Sequence, residues 1–172
     1  MTFEETRHAG PKDRDPLRIS TLTPTEVVQA FIGLLNQNRI DDAANLLAED
    51  LLYHNIPMAP LHGRAAWRAF NDEFRIGTRL RPNWEILAIA QSDDVVLTER
   101  IDEFYNAEGR SIAIPVMGSF LVRDGAIAKW SDYFDMGDLT AEFGKLNNPT
   151  DRLSIEDYVW QRLSDRARPP CS

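Results

Sequence analysis

The chain has 172 residues, of which 43% are hydrophobic and 27% charged, with a formal net charge of -8. That suits one globular domain with a sizeable core, and the acidic balance leaves no basic face for nucleic acid. A single cysteine, Cys171, excludes an internal disulfide and a cysteine-based metal site.

Residues 1–20 are polar, with mixed charges and hardly any apolar content, and are expected to be a flexible segment. They lack the apolar stretch of a signal peptide, and no run in the chain approaches the ~18 apolar residues of a membrane span. A cytoplasmic protein without membrane or nucleic-acid partners is the expectation.

An α+β domain is expected over residues 21–147. Thr23-Pro24-Thr25-Glu26 carries a capping box with proline at the first helical position, and Val27, Phe31, Leu34 and Leu35 then recur at helical spacing to about Asn36. Asp41 or Asp42 is expected to cap a second helix carrying Leu46 and Leu47. A strand from about Leu51 to Ile56 follows, ended by Pro57 and Pro60. Residues 63–75 read as a third helix with Trp67, Phe70 and Phe74 on one side.

The period then switches to strands: Trp84 to Ala90, Val95 to Tyr105, Ser111 to Val122 and Ile127 to Asp135, joined by turns at Ser92-Asp93-Asp94, around Gly109 and at Arg123-Asp124-Gly125. Pro115 forbids a ladder hydrogen bond and marks a bulge or an edge. Gly137 to Lys145 reads as a short helix, with Asp135 and Asp138 as candidate caps. Residues 148–172 form an expected helical tail, its Ile155, Tyr158, Val159 and Leu163 at helical spacing. This order predicts an α+β fold, a curved and mostly antiparallel sheet with helices on one face and a cone-like pocket between them.

Five polar residues interrupt strands otherwise built for a core: Tyr53 and Asn55, Arg100 and Asp102, and Asp132. Each of the first two pairs is spaced by two residues and so shares a sheet face. Asp132 stands between Trp130 and Phe134 on an apolar face, where a carboxylate needs a partner, and Arg100 is available. Taken singly, each has a bland reading: a structural ion pair for Arg100 and Asp102, a core aromatic for Tyr53, turn chemistry for Asn55, a satisfied core carboxylate for Asp132. Together they make an acid–base constellation. His54 falls on the opposite strand face, and it and His62 have no metal-site spacing, so no metal is expected.

The segments AEDLLYHNIPMAPLHGR, LTERID and WSDYFD, in that order behind the Thr23–Asn38 helix, resemble the limonene-1,2-epoxide hydrolase family over roughly residues 22–140. The resemblance implies the cone-shaped fold of ketosteroid isomerases and nuclear transport factor 2. It also implies a cofactor-independent enzyme, a homodimer, that adds water to an apolar epoxide in one step. In that light Asp102 resembles the acid that protonates the epoxide oxygen and Asp132 the base that takes a proton from water. Tyr53 and Asn55 resemble the groups that position the water, and Arg100 the arginine between the aspartates. Periodicity with the resemblance suggests Ile32, Leu35, Phe104, Ile114, Val116 and Phe134 as the apolar substrate-binding wall. The rivals are an isomerase or an epoxide-opening or polyketide cyclase on the same fold, and a non-catalytic binding module.

Overall fold

The computed structural model describes residues 22–56 and 58–146. The expected N-terminal segment and C-terminal tail lie outside the described residues. Helix α1 (Pro24–Asn36) starts as its sequence requires: Thr23 Oγ1 accepts from the Glu26 amide, and the Glu26 carboxylate accepts from the Thr23 amide at 2.7 Å. Its Val27, Val28, Phe31, Ile32 and Leu35 are buried as one stripe against the sheet.

Helix α2 is shorter than its periodicity suggested, spanning Ile40–Ala44, with Arg39 at the N-cap and Asp41 and Asp42 inside the first turn. Neither aspartate caps it, and Leu46 and Leu47 are not helical. Leu47 instead opens strand β1 (Leu47–Asn55), where it pairs with Ile127 and is buried. A long-range ladder overrode a local helical pattern here. A two-residue strand β2 (Leu61–His62), too short to leave a periodic signal, folds back on β1.

Helix α3 (Arg64–Glu73) precedes the meander of β3 (Arg81–Ser92), β4 (Val95–Tyr105), β5 (Ser111–Arg123) and β6 (Ala126–Tyr133), and α4 covers Met136–Leu146. Asp135 Oδ1 accepts from the Gly137 and Asp138 amides, so Asp135 starts α4 while Asp138 lies in its first turn. Among the described residues the sheet has six strands in the order β2-β1-β6-β5-β4-β3. All pairings are antiparallel except β1 with β6, which run parallel. Pairing of β5 with β6 stops at Met117, so Pro115 has a strand neighbour on the β4 side alone, a local edge that tolerates its missing N–H.

One register row positions the site. Asn55 lies beside Asp132, Asp132 beside Gly118, and Gly118 beside Thr98, crossing β1, β6, β5 and β4. Trp130, one step along β6 on the same face, is a hub of the core. Phe31 meets it edge-on at 5.2 Å, Tyr53 lies at 4.5 Å and Phe120 stacks at 5.5 Å. Burying each such ring contributes roughly 1.5–3 kcal/mol.

Candidate active site

Arg100 is fully buried and donates four hydrogen bonds. Nε and Nη2 grip Asp102 at both oxygens, each at 2.9 Å; Nη2 also reaches Asp132 Oδ1 at 2.9 Å, and Nη1 donates to Thr98 Oγ1 at 2.8 Å. Its guanidinium carbon lies 5.1 Å from the Trp84 ring centre and 5.5 Å from that of Phe120, which closes the apolar walls around it. Gly118 faces this group from β5. A Cβ there would overlap the guanidinium and stand 2.6 Å from Thr98 Oγ1, so only glycine leaves the passage through which Arg100 reaches Asp132.

Both aspartates are buried, and burial is the main force on their titration. It raises the Asp102 carboxyl above its ordinary value against the lowering pull of Arg100. It pushes Asp132 up to about 6, with Arg100 opposing and the negative Asp102 assisting. The Trp130 indole N–H faces Asp132 closely enough to favour its charge, yet makes no hydrogen bond of good geometry. Arg100 loses solvation too, but the two carboxylates more than offset this and hold it protonated. One arginine neutralises one carboxylate, so the second holds a proton at mildly acidic pH. Asp102, gripped at both oxygens, is the better-compensated anion; Asp132 is held at one.

Tyr53 donates to Asn55 Oδ1 at 2.9 Å, next to Asp132 in the register. Burial first, and then the charge of Asp132, raises the phenol well above its usual range, so it stays protonated. These groups face a cavity of ≈ 350 Å³, within the ~300–1,000 Å³ span of small-molecule sites. Most of its wall is apolar. Phe74 and Met136, exposed members of the wall, mark its opening to solvent. Among the described residues no group of three or more His, Cys, Asp and Glu side chains is placed to hold a metal ion.

A sequence profile of the limonene-1,2-epoxide hydrolase catalytic domain matches residues 22–144. The chain belongs to the limonene-1,2-epoxide hydrolase family. It is 32% identical over 114 residues to the epoxide hydrolase EphG of Mycobacterium tuberculosis, covering 65% of this chain and 73% of that protein. The structure of an M. tuberculosis limonene-1,2-epoxide hydrolase-like enzyme superposes with a TM-score of 0.61 at 28% identity, covering 74% of this chain and 96% of the other. A protein of ketosteroid isomerase-like fold from Catenulispora acidiphila, solved with trimethylamine, matches with a TM-score of 0.57 at 21% identity, over 72% of this chain and 95% of its own, and shows the fold alone.

In this limonene-1,2-epoxide hydrolase-like enzyme the five polar residues singled out from sequence converge. Tyr53, Asn55, Asp102 and Asp132 line the cavity, and Arg100 sits behind them. Leu35, Phe104, Ile114, Val116 and Phe134 also line it. Ile32 does not: it is buried in the core beside Phe31 and Val28, and α1 brings Leu35 to the wall one turn later. His54 lies on the far face of β1, its ring bonded to the Met58 carbonyl.

Sequence reasoning missed Thr98, Gly118 and Asn71. Thr98 had a signal, being two residues before Arg100 and so on its face. Gly118, a lone glycine inside a strand, signals close approach of another group. Asn71 had none, because a polar residue in an amphipathic helix reads as solvated.

Proposed function

We propose that this chain is a cofactor-independent epoxide hydrolase that adds water to an apolar epoxide in one step, giving a vicinal diol. The observation that carries the reading is the single guanidinium bridging two buried carboxyls at the wall of an apolar cavity. Opening an epoxide in one step needs a proton at its oxygen while a nucleophile attacks carbon, and a carboxyl pair sharing one proton supplies both. The pair titrates as a unit, so the proton's location is a property of the dyad.

Water is best held beside Asp132. Its Oδ2 is not engaged by Arg100, and Tyr53, whose O–H points to Asn55 Oδ1, has lone pairs to accept a hydrogen bond from a water. Asp132 takes one proton as the water oxygen bonds to carbon. The C–O bond of the ring breaks, and Asp102 gives its proton to the departing oxygen. The turnover ends with Asp102 ionised and Asp132 protonated, the arrangement that the bidentate grip on Asp102 favours at rest. A proton returning from Asp132 to Asp102 starts the next cycle. The apolar wall suits terpene, cycloalkene or sterol-like epoxides.

The test is single-turnover conversion of limonene oxide, cyclohexene oxide and styrene oxide in ¹⁸O-water, alongside Asp102→Asn and Asp132→Asn. Heavy oxygen in the first-turnover diol, lost with either variant, supports direct hydrolysis. If none of the three is converted, cyclisation, isomerisation or binding without catalysis takes its place.

The functional unit in this reading is a homodimer, as membership of the family suggests. Leu97, Met117 and Tyr133 are about half exposed on the outer sheet face, opposite the cavity, with Met117 paired to Tyr133 across β5 and β6. An apolar patch of this kind is suited to a second copy of the chain.

A further inference from the structure

We propose that Asn71 is a second polar anchor in the cavity, and that the substrate carries a hydrogen-bond donor, such as a hydroxyl, on its otherwise apolar skeleton. The proposal rests on the epoxide hydrolase reading for its chemistry but not for its geometry.

The other carboxyl, amide and hydroxyl side chains of the cavity wall are accounted for. Tyr53, Asn55, Asp102 and Asp132 belong to the strand-borne constellation, and Thr140 donates its hydroxyl to the Met136 carbonyl within its own helix. The Trp84 indole N–H is sealed away from solvent and beyond a ligand's reach. Asn71 is different. It comes from α3, part of the helical layer facing the sheet, is only 5% exposed, and lines the cavity among Trp67, Phe70 and Phe74.

Its amide nitrogen donates to the Trp67 carbonyl at 2.8 Å, one helical turn back. That bond fixes the orientation of the carboxamide, since turning it over would set oxygen against oxygen. The free end is therefore an acceptor, Oδ1, which has no partner among the described residues yet is not sealed off. A buried amide oxygen without a partner costs free energy that an aliphatic residue would avoid, and its neighbours on the wall, Trp67, Phe70 and Phe74, are apolar rings. An acceptor requires a donor on the ligand. A ketone or ether would meet it with repulsion, whereas a hydroxyl satisfies it. Recognition of this type discriminates strongly, because an analogue lacking the hydroxyl leaves the oxygen unpaired.

The experiment compares 4-hydroxymethyl-cyclohexene oxide with 4-methyl-cyclohexene oxide on the full-length enzyme and on Asn71→Leu. The wild type should favour the hydroxylated epoxide in kcat/KM by about tenfold, the worth of one hydrogen bond. Asn71→Leu should erase that preference, the rate on the hydroxylated epoxide falling about tenfold relative to that on the methyl compound. Calorimetric binding of cyclohexylmethanol, measured in parallel, needs no turnover and should weaken about tenfold in Asn71→Leu. Should both epoxides slow equally in the variant, or the wild type show no preference, the anchor is overturned while hydrolysis stands. Should neither epoxide react while the alcohol still binds through Asn71, hydrolysis falls and the anchor survives. The wild-type preference is decisive even if the variant fails to fold.

Discussion

Arg100 Nη2 lies 2.9 Å from Asp132 Oδ1, although their strands, β4 and β6, are not neighbours. β5 runs between them, and the Arg100 and Asp132 side chains together span two strand spacings, roughly 9–10 Å, with the guanidinium passing over Gly118. The bridge between the two carboxyls therefore depends on a residue with no side chain.

Gly118→Ala should displace Arg100 or Thr98, both buried. We expect a loss of about 1–3 kcal/mol in unfolding free energy and a larger proportional loss of kcat than the same destabilisation causes elsewhere in β5. Urea denaturation and turnover of the alanine variant check this. Wild-type stability with wild-type kcat would show that the passage is not required.

Asp102→Asn and Asp132→Asn should each lower kcat by about 10²–10⁴-fold. Their stabilities should not fall in parallel. The folded-state pKa of Asp132, about 6, lies above its ordinary 3.8, so the native state binds the proton more tightly. Stability is then lost as pH rises through that window, and the cost above it amounts to roughly 3 kcal/mol at most. Asp132→Asn removes the cost, so its melting temperature should match or exceed that of wild type at pH 8, with the advantage gone below pH 4. A variant that unfolds at pH 8 would make Asp132 a structural residue.

The dyad is competent with one proton bound. Loss of that proton, near pH 6 for Asp132, leaves both carboxyls ionised, and kcat/KM should decline as pH rises through this region. At low pH both are protonated and activity should fall again. A rate profile from pH 4 to pH 9 that climbs steadily to the alkaline end would contradict a proton-sharing pair.

Arg100→Met should leave two buried carboxyls with no counter-charge. The expected destabilisation is about 3–5 kcal/mol at neutral pH, shrinking as pH falls and the carboxyls take up protons. Chemical denaturation at pH 4.5 and pH 7.5 gives the comparison. An equal deficit at the two values would mean that Arg100 contributes packing rather than charge.

Met117→Glu places a charge on the outer face of β5, next to Tyr133. If that face joins two copies, sedimentation should give a dimer for wild type and a monomer for the variant. A wild-type monomer at micromolar concentration would exclude the dimer.

Much of this site was legible before folding was considered. Strand periodicity alone puts Arg100 and Asp102 on one face of β4 and Asp132 on an apolar face of β6. The Thr23–Glu26 capping box placed the start of α1, because a cap is a contact within a single turn. Such features involve neighbours in the chain, and a sequence records them directly.

The rest depended on partners distant in sequence. Leu47 became a strand residue because Ile127 lies beside it, and Tyr53 and Asn55 flank Asp132 because β1 joins β6 in parallel. Asn71 faces a cavity rather than water because α3 packs on β1 and β2. By itself the sequence determined which residues can carry acid–base chemistry and which strand face each occupies, since both follow from side-chain type and a two-residue period. Only the tertiary structure decided which of those faces meet, that Gly118 opens the way between them, and that an asparagine oxygen waits in the wall. Each of these is a matter of strand register and helix docking, and those are set by packing energies summed over the whole chain.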